Sequence, residues 1–192
     1  MTILEAAVRA RDVPAGALAG SPSEVAVAAR AMAGRFMRGG RLLVFGSGRA
    51  AADAEHVSVE FVHPVIVGKR ALPALTLTGD VATITGVATG RGVDGIFAHQ
   101  VRLLGRGDDM ALGLSGPGGD AAVDQGLDAA GRAGLLTLAL TGGAASGRPR
   151  VDHLLAAASE DPLVVKEVQV TTYHVLWELV HVFLDRPEET GR

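Results

Sequence analysis

RLLVFGSGRAAADAEHVSVEF, residues 41–61, decides how the chain folds. Arg41-Leu42-Leu43-Val44-Phe45 is a short apolar run without alternation, the pattern of a strand covered on both faces of a parallel sheet. Gly46-Ser47-Gly48-Arg49-Ala50 then turns the chain into an alanine-rich helix that carries His56 and Glu60. The order strand, glycine turn, helix recurs downstream. Leu72 to Thr78 reads as a strand with a helix from Asp80, and Met110 to Ser115 as a strand with a helix from about Gly119. Leu135 to Thr141 is a strand before a Gly/Ser loop, and Leu154 to Ala157 is a weaker one. Alternation of this kind means a parallel sheet with helices on both faces.

Upstream, Ser21-Pro22-Ser23-Glu24 combines a capping serine, a first-turn proline and a glutamate three residues after the serine. A helix is expected from there to about Arg38, stopped by Gly39-Gly40. At the other end Asp161-Pro162 is again a cap followed by a first-turn proline, and the last helix is expected to reach roughly Asp185. The expectation is one domain over residues 1–192. It comprises a helical segment over about 1–38, a sheet-and-helix core over about 39–160, a last helix over about 162–185, and a frayed tail from Arg186.

With 192 residues, 48% of them apolar and 20% charged, the chain is long enough to bury a full core without staples. A net charge of −3 without a Lys/Arg-rich run argues against a nucleic-acid partner. The absence of cysteine rules out disulfides and thiolate metal sites, so any metal must be held by His, Asp or Glu. Residues Met1 to Gly20 lack the basic-then-apolar order of a signal peptide, and no apolar run is long enough to span a membrane. A cytoplasmic location is expected.

Ligands of open parallel sheets bind beyond the carboxyl ends of the strands, where turns expose backbone N–H groups. Gly46 to Ala50, Thr78-Gly79-Asp80 and Ser115 to Asp120 are the turns that fall there. They suit a phosphate, although glycines at such turns also serve chain reversal alone. His56 and Glu60 are four apart and share a helix face, which suits a metal, a proton-transfer pair or a plain solvated pair. On the last helix Glu167, Thr171, His174, Glu178 and His181 recur at three- and four-residue steps and form one polar stripe on an otherwise apolar helix. Such a stripe faces water, a partner chain or a site. His63, His99 and His153 read as structural.

Taken in order, GSGRAAADAEHVSVEF, LPALTLTGDVATITGVA, FAHQVRLLGRGDDMALGLSG, LLTLALTGG and KEVQVTTYHVLWELV resemble the phosphoheptose isomerases of the SIS family, over roughly Arg35 to Leu184. The resemblance implies a three-layer α/β/α sandwich with a five-stranded parallel sheet and a homotetramer with sites at subunit interfaces. It also implies interconversion of sedoheptulose 7-phosphate and its aldose isomer, with zinc in several members. Carried over residue by residue, it implies Glu60 and His174 as the acid/base pair and His56, Glu60 and His174 as metal ligands. For the phosphate it implies Ser47, Gly48, Arg49, Ser115, Gly118 and Asp120.

Several of those positions depart from the family. Its GNGGS turn is Gly46-Ser47-Gly48-Arg49-Ala50, with one hydroxyl gone, and its STSGNS turn is Ser115-Gly116-Pro117-Gly118-Gly119-Asp120. Pro117 lacks an N–H, and Asp120 near a helix N-terminus would itself take the donors meant for phosphate unless Arg49 neutralises it or contacts the anion. The family's GND after the second strand is Ala88-Thr89-Gly90. Its glutamine eight residues before the last histidine, a metal ligand, is Lys166, whose ammonium is expected to oppose zinc. Two readings follow. One is an isomerase of sedoheptulose 7-phosphate or a related sugar phosphate, acting through an enediol, alone or with a related subunit that supplies missing groups. The other is a non-catalytic SIS module that binds a sugar phosphate or a regulatory partner.

Overall fold

The computed structural model describes residues 2–20, 22–143 and 150–185, without the Ala19 side chain. Three helices open the chain: α1 (Ile3–Arg9), α2 (Asp12–Gly20) and α3 (Pro22–Met37). The core then alternates β1 (Leu42–Gly46), α4 (Arg49–Val62), β2 (Ala74–Thr76), α5 (Val81–Arg91) and α6 (Ile96–Leu104). It continues with β3 (Met110–Pro117), α7 (Ala121–Arg132), β4 (Leu136–Gly142), β5 (His153–Ala157) and α8 (Pro162–Asp185). The five strands form one sheet in the order β2-β1-β3-β4-β5, every pair parallel. The α/β sandwich expected from the alternation is therefore the fold of the described residues.

Strand alternation divides the core between two faces. Leu42 and Val44 of β1 join Met110, Leu112 and Leu114 of β3 in one apolar cluster with α3, α4 and α8. Leu43 and Phe45 face the other way, into a cluster with α6 and α7. Both sides of β1 are buried, which is why its sequence is continuously apolar. At Gly126 of α7 an added Cβ would lie 2.7 Å from the Phe45 ring, so the helix approaches the sheet only because that side chain is missing.

Three boundaries differ from expectation. β2 pairs with β1 over Ala74–Thr76 alone, because Pro73 has no N–H to give and the edge strand turns away after Thr76. β3 runs two residues further, to Pro117, and α7 begins at Ala121. Gly118 and Gly119 have φ of 85° and 78°, outside the right-handed helical region, so the helix cannot start at Gly119. The Ser21 cap, the Gly/Ser loop over 144–149 and the tail from 186 lie outside the described residues.

β1 is flanked by β2 on one side and β3 on the other, and their following helices leave to opposite faces: α4 packs in the first cluster, α7 in the second. The crevice between the carboxyl ends of β1 and β3 is thus the topological switch point, where open α/β sheets bind ligands.

Candidate active site

α4 and α8 both start at this edge of the sheet and run side by side in the same direction. Successive contacts are Asp53 with Lys166, His56 with Tyr173, and Glu60 with Trp177. The apolar sequence of α8 reflects burial of Val164, Val165, Val168, Tyr173, Leu176, Trp177, Val180 and Phe183. The four-residue step on α4 sets His56 over Glu60, with Nε2 3.2 Å from Glu60 Oε1. The His174 ring meets His56 edge-on, centroids 5.2 Å apart. One potential ligand atom from each of His56, Glu60 and His174 lies within 4.8 Å of the others, all three residues partly buried. Two imidazoles and a carboxylate so gathered could hold a metal ion, by donor type and spacing.

Further groups complete the surroundings. The Tyr173 hydroxyl is 2.9 Å from His56 Nδ1. Burial, followed by the Asp53 and Glu60 carboxylates, pushes the Tyr173 phenol up to about 12, so it stays un-ionised at neutral pH. Trp177 Nε1–H donates to the Glu60 carbonyl at 2.8 Å and fixes that turn of α4 against α8. The Lys166 ammonium lies 2.6 Å from both oxygens of Asp53, whose carboxylate is 8% exposed. Its charge is thus paired with Asp53, three residues before His56 on the same helix. Asp53 was not singled out from sequence; its position three residues before His56 on the same helix was the available signal.

The glycine turns are less simply a phosphate cradle. Asp120 caps α7, accepting from the Ala122 and Val123 N–H at 2.9 and 3.1 Å. Arg49 is exposed and makes no ion pair with Asp120. The Ser115 side chain is buried and its Oγ lies 3.3 Å from Thr141 Oγ1, while its carbonyl accepts from Gln169 Nε2 at 2.7 Å. The buried Ser47 Oγ and Asp124 Oδ1 have no hydrogen-bond partner among the described residues. Burial, then the Asp120 charge, raises the Asp124 carboxyl. Gly48, with φ 57°, turns the chain into α4, and Gly118 is exposed.

On α8 the polar stripe is interrupted. Glu167, Thr171 and Glu178 are exposed and His174 half-buried, but His181 is 1% exposed. Its ring nitrogens lie 2.9 and 3.1 Å from the Trp177 and Arg70 carbonyls, one of which takes its N–H, so it is a core histidine and no part of an open face. His63 ends α4, His99 lies on α6 in the opposite layer and His153 opens β5, all outside the cluster.

A parallel α/β sandwich whose α4 and α8 bring two histidines and a glutamate together is of the class of SIS domains, and residues 10–142 match the SIS domain family. The phosphoheptose isomerase of Roseiflexus sp. is 39% identical over 163 residues, 83% of this chain and 81% of its own length. The structure of a phosphoheptose isomerase from Francisella tularensis superposes with a TM-score of 0.84 at 31% identity, covering 93% of this chain and 94% of that one. That of Neisseria gonorrhoeae gives 0.80 at 28%, covering 92% and 94%. The chain belongs to the phosphoheptose isomerase family of SIS domains.

Proposed function

We propose that the protein, acting as one SIS domain, interconverts the ketose and aldose forms of sedoheptulose 7-phosphate or a related sugar phosphate through an enediol. The observation that carries this reading is the convergence of Glu60, His56 and His174 from two side-by-side helices. Glu60 takes the proton from C1 while His174 protonates the C2 carbonyl oxygen, giving the enediol. Glu60 then returns the proton to C2 as the C1 hydroxyl gives its own to His174. A carboxylate and an imidazole divide this work because the carbon-bound and oxygen-bound protons move in opposite senses. Trp177, bound to the Glu60 carbonyl, keeps the carboxylate on its face of α4. The names of the relatives support the phosphorylated substrate, and the acid/base cluster weighs against the non-catalytic reading.

Zinc fits the donor set of His56, Glu60 and His174, which leaves an open position for substrate. When bound there it would polarise the substrate oxygens that change between carbonyl and hydroxyl. For the phosphate the reading takes Ser47, Gly48, Arg49, Ser115, Gly118 and Asp120 as the surrounding turns. The working assembly is a homotetramer in the cytoplasm, where charged sugar phosphates are retained by the membrane. Consistent with this, no helix among the described residues is long and apolar enough to cross a membrane.

The test is deuterium incorporation from heavy water into sedoheptulose 7-phosphate, followed by proton NMR, with and without added zinc. Exchange is expected in the wild type and is expected to vanish in Glu60→Gln. Exchange that survives in Glu60→Gln would remove Glu60 from the carbon-bound proton, and none under any condition would reject this substrate.

A further inference from the structure

Tyr173 is 2% exposed and its hydroxyl stands 2.9 Å from His56 Nδ1. Two hydrogen-bond directions satisfy that distance. If Nδ1–H donated to the phenol oxygen, the phenol proton would need a second acceptor, and Tyr173 has no other hydrogen-bond partner among the described residues. If the phenol donates, Nδ1 is the bare nitrogen and the ring proton of neutral His56 sits on Nε2. The far side of the ring demands the same arrangement. Nε2 faces Glu60 Oε1 at 3.2 Å, and an ionised carboxylate only accepts. Both ends of the imidazole therefore point one way, from the Tyr173 O–H to Nδ1 and from Nε2–H to Glu60.

We infer that Tyr173 is a positioning residue that locks His56 in its Nε2–H tautomer, so that His56 holds and orients the Glu60 carboxylate. The relay crosses from Tyr173 on α8 to His56 and Glu60 on α4, and it gives His56 a task distinct from that of His174. It also sets a condition on metal binding. With Nδ1 accepting from the phenol and Nε2 protonated, neither nitrogen offers a free lone pair. Ligation through Nε2 requires the proton to leave it and the Tyr173 bond to break or reverse. Tyr173 thus biases the cluster toward proton transfer by side chains and against a tightly held ion. The catalytic consequence rests on the assignment of Glu60 above, but the tautomer itself does not.

The experiment is long-range proton–nitrogen NMR on protein carrying 15N-histidine, with the His56 signals assigned by their loss in His56→Gln. It is run at a pH where the imidazole is neutral. The wild type should show a protonated Nε2 and an unprotonated, hydrogen-bonded Nδ1. A protonated Nδ1 in the wild type overturns the inference without any variant being needed. Tyr173→Phe keeps the buried ring and removes only the hydroxyl, and the Nδ1 shift should move away from its hydrogen-bonded value, with a rise in the Nδ1–H tautomer as far as the Glu60 contact at Nε2 permits. Unmoved shifts in a variant with a normal melting transition would reduce Tyr173 to packing. Calorimetric titration with zinc alone gives a second readout: Tyr173→Phe should bind several-fold more tightly than the wild type, and equal or weaker binding would count against the lock. Because these signals are read without substrate, their failure is distinguishable from failure of the isomerase reading.

Discussion

At the scale of single residues, charge at two positions shapes the proposed site and its stability. The Asp120 carboxylate occupies the first N–H groups of α7, the donors and positive dipole end that an incoming phosphate would use. Serine at this position still caps a helix but carries no charge. Asp120→Ser is therefore expected to tighten inorganic phosphate binding several-fold by calorimetry with the melting temperature little changed. Unchanged or weaker binding would place the phosphate elsewhere. Lys166 and Asp53 form the second position. Removing the ammonium leaves an 8% exposed carboxylate without its partner, and breaking such a pair costs more than the pair itself contributes. Lys166→Gln should destabilise by about 1–3 kcal/mol, discounted because the lysine side is 39% exposed. Asp53→Asn combined with Lys166→Gln should recover most of that loss in denaturant melts. A strictly additive double variant would show that the two groups do not interact energetically.

At the scale of elements, legibility followed burial. β1, β3 and β4 were plain in the sequence because parallel strands covered on both faces are continuously apolar, as in Leu42 to Phe45. β2 was overdrawn because an edge strand needs only a few residues of pairing and Pro73 marked its limit. The His56, Glu60 and His174 group could be anticipated from a four-residue helical step and a family pattern. The partnership of Lys166 with Asp53 could not, since 113 positions separate them and only the packing of α4 on α8 brings them together. His181 departs from the stripe because periodicity sees only its own helix, and the Arg70 carbonyl that packs against it comes from another segment. The same kind of distant join links the amino ends of β1 and β3. Asp109, buried, accepts from the Arg41 guanidinium at 2.7 and 3.3 Å and from the Arg41 and Arg106 N–H. Burial pushes its carboxyl up, but the Arg41 side-chain and backbone hydrogen bonds and that from Arg106 outweigh it and hold it below the usual range. A carboxylate depressed in the folded state adds stability that is present above the unfolded value of about 4 and disappears as pH falls through the lower folded value. The melting temperature should thus drop steeply on acidification below about pH 4. Asp109→Asn should start lower at neutral pH and show a shallower acid slope. An unchanged acid slope in that variant would exclude Asp109 as a source of it.

At the scale of the whole molecule, the amino-terminal helices carry apolar surface that the other described residues leave exposed. Ile3, Leu4 and Val8 of α1 are 92%, 73% and 57% exposed, and α1 buries no residue at all. A seven-residue helix is too short to persist in water on propensity and capping alone, even with the reciprocal Thr2 and Glu5 cap that it has. Next to it a groove of about 480 Å³ opens between α2, α3 and α8, lined by Leu18, Val25, Val168, Val175 and Leu179 and closed at its rim by the Arg11–Glu167 ion pair. None of the His56, Glu60 and His174 cluster lines it. Apolar helix surface beside an apolar groove is what an assembly of identical chains would bury, since each copy brings both parts. Light scattering on the purified protein is expected to give about four times the 19.6 kDa chain mass. Leu4→Glu with Val8→Glu, two exposed positions remote in sequence from the acid/base residues, should reduce that mass while leaving the helical content of each chain nearly unchanged. The deuterium exchange assay on the same sample then separates two architectures. Exchange lost together with the mass means that a neighbouring chain completes the site. Exchange kept in the smaller species means that α4, α8 and the two turns of one chain suffice. A wild type that is already a monomer would leave α1 with no partner and remove the assembly from the proposed function.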